Sequence, residues 1–232
     1  MINQMKFGRR ISPDENDLKF MMTRKLGKPG LPLPTRKTWP IKAAALDQGN
    51  TGTCVAHAWC NFLRAAPIQT NKGIDELRWV IYDKAILLDE WTDNDLDVDR
   101  QMGTSVRAGA DAVMGMQRLK SYLWAFSLRP AIEWVLTEGP VVLGTNWYSS
   151  MMEPNPKGFI EIKNDAYVVG GHAYLWRGVD TKTGMARISN SWSDEWGLSG
   201  EAFVSLRDME RLIHEDGECC TAIEQKLEAA KV

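Results

Sequence analysis

Cys54 is placed as reactive thiols usually are: the glycine-rich stretch Gln48-Gly49-Asn50-Thr51-Gly52-Thr53 delivers it to the start of an apolar run. Val55, Ala56, Ala58, Trp59, Phe62, Leu63 and Ala66 follow at helical spacing and Pro67 ends the pattern, so Cys54 falls in a first helical turn. Unpaired backbone N–H groups and the positive end of the macrodipole favour thiolate there, which supplies a nucleophile. A thiolate needs a proton partner, and the chain holds three histidines. His172 stands in Val168-Val169-Gly170-Gly171-His172-Ala173-Tyr174-Leu175-Trp176, a strand-like run whose two glycines admit close approach of another backbone or a substrate. Asn190, at the end of a second strand-like run, offers a side-chain amide that could accept from the imidazole N–H. Nucleophile, base and orienting group are all present.

Around these residues the sequence resembles the papain-like cysteine peptidases over roughly residues 38 to 223. Gln48 through Ala58 is similar to that family's Gln-Gly-x-Cys-Gly-Ser-Cys-Trp-Ala-Phe-Ser block, and Gly139-Pro140-Val141 to the Gly-Pro-Val that opens its second domain. His172-Ala173 matches the histidine strand. Asn190-Ser191-Trp192-Ser193-Asp194-Glu195-Trp196-Gly197 resembles the Asn-Ser-Trp-Gly-x-x-Trp-Gly block, with Gly200 at the next glycine. The resemblance implies Cys54 as nucleophile, His172 as general base and acid, Asn190 as the residue orienting the imidazole, and Gln48 as oxyanion-hole donor with the Cys54 backbone N–H. It also implies that Met102, Gly103, Gly171 and Trp192 border the substrate, with Trp192 shielding the His172–Asn190 hydrogen bond. The cysteine precedes the histidine by 118 residues and the asparagine by 136, against about 130–150 in the family; shorter interdomain loops account for that.

Four departures stand out: Thr51 replaces a disulfide cysteine, Val55 the tryptophan after the nucleophile, His57 a buried phenylalanine and Ser193 a glycine. None removes a catalytic group, and His57 reads as a core residue. With Cys54 in catalysis, Cys60 and the adjacent Cys219-Cys220 make no disulfide framework. Charges interrupt the first twenty residues, so no secretory signal is expected, and no run reaches membrane-spanning length. These features suggest a reducing cytoplasm, bacterial or bacteriophage-associated. No cofactor or metal is expected: Asp89, Glu90, Asp93, Asp95, Asp97 and Asp99 lack the glycine and closing acid of a calcium loop, and His214 near Cys219-Cys220 has no metal-ligand spacing.

The elements that must position this chemistry divide into helices first and strands after, the pattern of an α+β fold with a helical lobe, a β-barrel-like lobe and the cleft between them. Helices are expected over 53–66, 74–88, 106–119 and 127–137; strands over 141–144, 159–162, 167–179, 186–189 and 201–205. The expected organisation is a basic proline-rich arm (1–40), a helical lobe carrying Cys54 (41–135) and a β-rich lobe carrying His172 and Asn190 (136–232). Residues 1–42 hold ten Lys or Arg against three acids, and the remainder eighteen against twenty-seven. The arm should therefore lie as an extended strap across an acidic body, limiting access to Cys54, and the acidic segment Asp89 to Asp99 should bias the cleft toward basic substrates. The expected partner is a peptide or protein substrate, without a membrane; nucleic acid is disfavoured, although the basic arm leaves it open. A thiol peptidase is the leading function, with a catalytically inactive peptide- or partner-binding homologue, or a related amide hydrolase or transamidase, as alternatives.

Overall fold

The computed structural model describes residues 6–22, 33–70, 73–89 and 100–224. Pro29 and Pro32 of the arm, and the acidic segment after Asp89, lie outside the described residues. Helices α1 (Cys54–Arg64), α2 (Ile74–Leu88), α3 (Val106–Gly115), α4 (Leu128–Thr137) and α5 (Leu206–His214) are joined by strands β1 (Arg9–Arg10), β2 (Arg36–Thr38), β3 (Thr104–Ser105), β4 (Leu119–Trp124), β5 (Val141–Tyr148), β6 (Phe159–Ile160), β7 (Val168–Asp180), β8 (Met185–Ser189), β9 (Glu201–Ser205) and β10 (Glu218–Glu224). Among the described residues, one large sheet runs β4-β10-β5-β7-β8-β9-β6, with β2 also paired to β7. Among the described residues no helix is long and apolar enough to cross a membrane.

The middle of that sheet is a wall between two cores. Along β5, β7 and β10 the side chains alternate: Val142, Ala173, Leu175 and Cys220 join the core under α1, α2 and α3, while Leu143, Tyr174, Trp176 and Cys219 join the other. A strand covered on both faces reads as a continuous apolar run rather than an alternating one, as Val141-Val142-Leu143 does. The same alternation sends the neighbouring cysteines into different cores, where burial raises both thiol pKa values. All four cysteines are free and buried.

Several elements differ from the sequence expectation. The third helix ends at Gly115, and the residues from Leu119 form β4, paired with β10. α5 and β10 are additional, and His214 is the last residue of α5. Helix α4 places Ala131, Trp134, Val135 and Leu136 in the second core, so it belongs with the β-rich side rather than with the helical lobe bounded at 135. The arm is not one extended strap: Glu15–Phe20 forms a 3-10 helix started by Asp14, whose carboxylate accepts from the Asn16 N–H at 2.8 Å, and β2 is part of the sheet.

Candidate active site

Cys54 opens α1. No acidic residue occupies the first turn and the Thr53 side chain makes no capping bond, so the positive helix end is left uncompensated. Ser191 and Trp192 are stitched to the segment before the helix: the Gln48 N–H donates to the Ser191 carbonyl at 2.9 Å and the Ser193 N–H to the Leu46 carbonyl at 3.1 Å. These bonds bring the cysteine and asparagine blocks together although 136 residues separate Cys54 from Asn190.

His172 projects from β7, and its Nε2 lies 2.7 Å from Asn190 Oδ1. That oxygen also accepts from the Ser191 backbone N–H at 2.8 Å, which orients the amide with its oxygen toward the imidazole. Nε2 must therefore carry the hydrogen, and Nδ1, with no hydrogen-bond partner, keeps its lone pair as a base requires. Trp192 stacks on the ring at 4.5 Å and 28°, and Trp147 meets it edge-on at 5.0 Å. Trp192 thus covers the imidazole next to its bond with Asn190. Helix α1 packs against β7, which puts nucleophile and base on facing elements.

Gln48 is held on both sides. Its Oε1 accepts from Ser191 Oγ at 2.7 Å, and its Nε2 donates to the Thr51 carbonyl at 2.8 Å and to the Lys6 carbonyl at 3.1 Å. A donor expected to meet an oxyanion instead meets a peptide carbonyl of the chain's own arm. Ser191 went unread as the group that aims Gln48, although it lies in the same short block as Asn190. If Gln48 is the oxyanion donor, Gln48→Ala should lower the rate on the order of 10²–10³-fold, chiefly in kcat. Steady-state kinetics showing a change in KM alone would make it a binding residue.

The arm fills the groove in which these groups meet. β1 runs parallel to β3, with Arg9 opposite Thr104, and the Thr104 N–H donates to the Gly8 carbonyl at 2.7 Å. Phe7 lies edge-on to both His172 and Trp192 at 5.9 Å. A Cβ on Gly8 would come 1.8 Å from the Gly52 carbonyl oxygen, one on Gly103 2.2 Å from the Gly8 oxygen, and one on Gly171 2.4 Å from the Arg9 oxygen. Arg10 donates to the Met102 carbonyl at 2.7 Å. The four residues expected to border a substrate, Met102, Gly103, Gly171 and Trp192, all touch or closely face residues 7–10.

Under this cover Cys54 and His172 have no exposed surface. Burial pushes the Cys54 thiol up to about 11, against hydrogen bonds from the Ala173, Gly8 and Val55 backbone that lower it. Burial likewise holds His172 down to about 4. The helix start was expected to favour thiolate, but with water excluded by the arm desolvation outweighs it, and both groups are neutral near pH 7. His57 is also buried and lowered to about 4; its Nδ1 lies 2.9 Å from the Thr53 carbonyl, within its own helix. Among the described residues no group of three or more His, Cys, Asp or Glu could hold a metal ion.

No family model and no curated protein matches the sequence. Solved structures do match in shape. Xylellain, a cysteine protease from Xylella fastidiosa, superposes with a TM-score of 0.73 at 16% identity, over 96% of this chain and 97% of that one. Digestive procathepsin L 3 from the larval midgut of Tenebrio molitor gives 0.61 at 13% identity, over 96% of this chain and 76% of that one. The ragweed pollen allergen Amb a 11, a cysteine protease in its proform, gives 0.57 at 13% identity, over 89% of this chain and 69% of that one. The two cores, the sheet that separates them and these superpositions together identify the fold as that of the papain-like cysteine proteases.

Proposed function

We propose that the protein is a thiol peptidase that hydrolyses peptide bonds through an acyl-enzyme on Cys54 and is held latent by its own residues 6–10. The observation that carries this reading is the oriented pair His172–Asn190, whose unpartnered Nδ1 belongs to a strand packed against the helix that Cys54 opens. In the open state, His172 takes the Cys54 proton through Nδ1, and the thiolate attacks the scissile carbonyl carbon. Gln48 and the Cys54 backbone N–H receive the oxyanion, and imidazolium then protonates the departing amine. Water, deprotonated by His172, attacks the thioester and restores the thiol. A chain kept only to bind a partner would have no use for an amide aimed at Nε2 or for a glutamine clamped by Ser191.

Latency follows from the Lys6 carbonyl on Gln48 and from Gly8 between Gly52 and Gly103, positions a substrate backbone needs. Two of the structural neighbours are themselves proforms. Four free cysteines suit a reducing compartment, so we place the enzyme in a cytoplasm.

Hydrolysis of a peptide library by the Gly8→Val chain, whose arm no longer fits the groove, tests the reading. Peptide cleavage together with labelling of Cys54 by a thiol-directed epoxide is expected. Labelling without cleavage would turn the assignment toward other amide chemistry, and neither would leave a partner-binding protein.

A further inference from the structure

Arg9 enters the groove beside Cys54 and is buried, only 6% exposed. Its Nε donates to Glu218 Oε2 at 2.9 Å and its Nη2 to the Asp216 carbonyl. Glu218 and Gly144 face each other across the β10–β5 pair, and the space for the arginine stem exists because position 144 has no side chain: a Cβ there would come 3.0 Å from both Cγ and Nε of Arg9 and 2.6 Å from Val106 Cγ2. The pocket therefore has a carboxylate at its end, a carbonyl beside it and a glycine wall that leaves room for a long stem.

A buried carboxylate stripped of the cation paired with it is costly. The Glu218 side chain is 10% exposed, and when the arm leaves the groove Arg9 leaves with it. Burial pushes the Glu218 carboxyl up and the Arg9 charge pulls it back down, so a cation in the pocket favours the ionised form. Whatever replaces the arm gains most by restoring that cation. Two donors meeting a carboxylate and a carbonyl in fixed directions suit the planar guanidinium fork better than the compact ammonium of lysine.

We propose that the Glu218 pocket is a substrate subsite selective for an arginine side chain within a few residues of the bond cleaved, and that Glu218 is its specificity-determining residue. The inference rests on the peptidase reading and names that enzyme's substrate class as arginine-containing peptides. It moves the basic preference expected of the acidic segment Asp89 to Asp99 onto one buried carboxylate.

The test uses the full chain carrying Gly8→Val, alone and with Glu218→Gln. Its probes are a fluorescent peptide of sequence Lys-Phe-Gly-Arg-Arg, the same peptide with citrulline in place of the first arginine, and a fluorogenic peptide library. Citrulline keeps the shape and removes the charge, so this arm of the test makes no demand on protein folding. Arginine peptide should bind at least about tenfold tighter than citrulline peptide, the discrimination of one charge-assisted bond, and Glu218→Gln should erase the difference. Library hydrolysis should show the same arginine preference. Equal binding of the two peptides, or hydrolysis indifferent to arginine, overturns the proposal. Arginine-dependent binding without hydrolysis upholds the pocket and removes the peptidase reading instead.

Discussion

Cys54→Ala, made in a chain whose groove is open, is expected to abolish peptide hydrolysis and epoxide labelling while leaving the fold intact. The loss should be on the order of 10⁶-fold, since nucleophile and base act as one unit and neither has a substitute. His57 is no reserve base, because its Nδ1 is engaged with Thr53 and its ring is locked edge-on against Trp79 at 5.8 Å. His172→Ala should cost nearly as much, and the double variant no more than either single one. Asn190→Ala should cost less, since the imidazole stays packed between Trp192 and Trp147 and loses only the bond that selects its tautomer. Undiminished turnover in Cys54→Ala, with thermal unfolding unchanged, would end the peptidase assignment.

What could be read from sequence follows how local each signal is. Gln48, Cys54, His172 and Asn190 each sit in a short block whose neighbours shape it: glycines before a helix, glycines before a strand, a tryptophan after the asparagine. Helices α1 and α2 were legible for the same reason, each having apolar residues at helical spacing and clear ends. β10 was not, because Glu218-Cys219-Cys220 becomes a strand only through pairing with β4 and β5, elements far away in sequence. Nor was β4, whose Leu119 continues the apolar spacing of α3 although the helix has already ended at Gly115. The Arg9–Glu218 contact joins residues 209 apart and has no local pattern at either end. Arm charge pointed to contact with the body, and the Arg9–Glu218 pair has the expected sense. One anchor even has the opposite sense from that expected, with Asp17 of the arm paired to Arg107 of the body.

Freeing the groove is the second large effect expected, and Gly8 is the place to do it. A side chain at that position would overlap the Gly52 carbonyl, backbone that cannot swing aside, so Gly8→Val should expel residues 6–10 while the 3-10 helix keeps its Asp17–Arg107 pair and Met22 stays buried. Deleting the whole arm is a poorer experiment, because β2 and the buried Trp39 belong to the body. Hydrolysis should rise on the order of 10–100-fold, the ratio for a closed state populated at about 90–99%. Salt should hardly narrow the gap, because a buried ion pair such as Arg9–Glu218 is screened far less than facing surface charges. The thiol supplies an independent readout. Covered, it keeps its proton up to about 11 instead of the ordinary 9.0. Raising pH between those values favours the state that can release the proton, which is the open one. Alkylation of Cys54 in the unaltered chain should therefore stay slow until the solution passes about pH 9. In Gly8→Val its midpoint should fall below that value, since water returns, desolvation lapses and the helix start acts unopposed. Equal hydrolysis and superimposable alkylation profiles for the two chains would show that residues 6–10 leave the groove unaided and that the arm holds nothing latent.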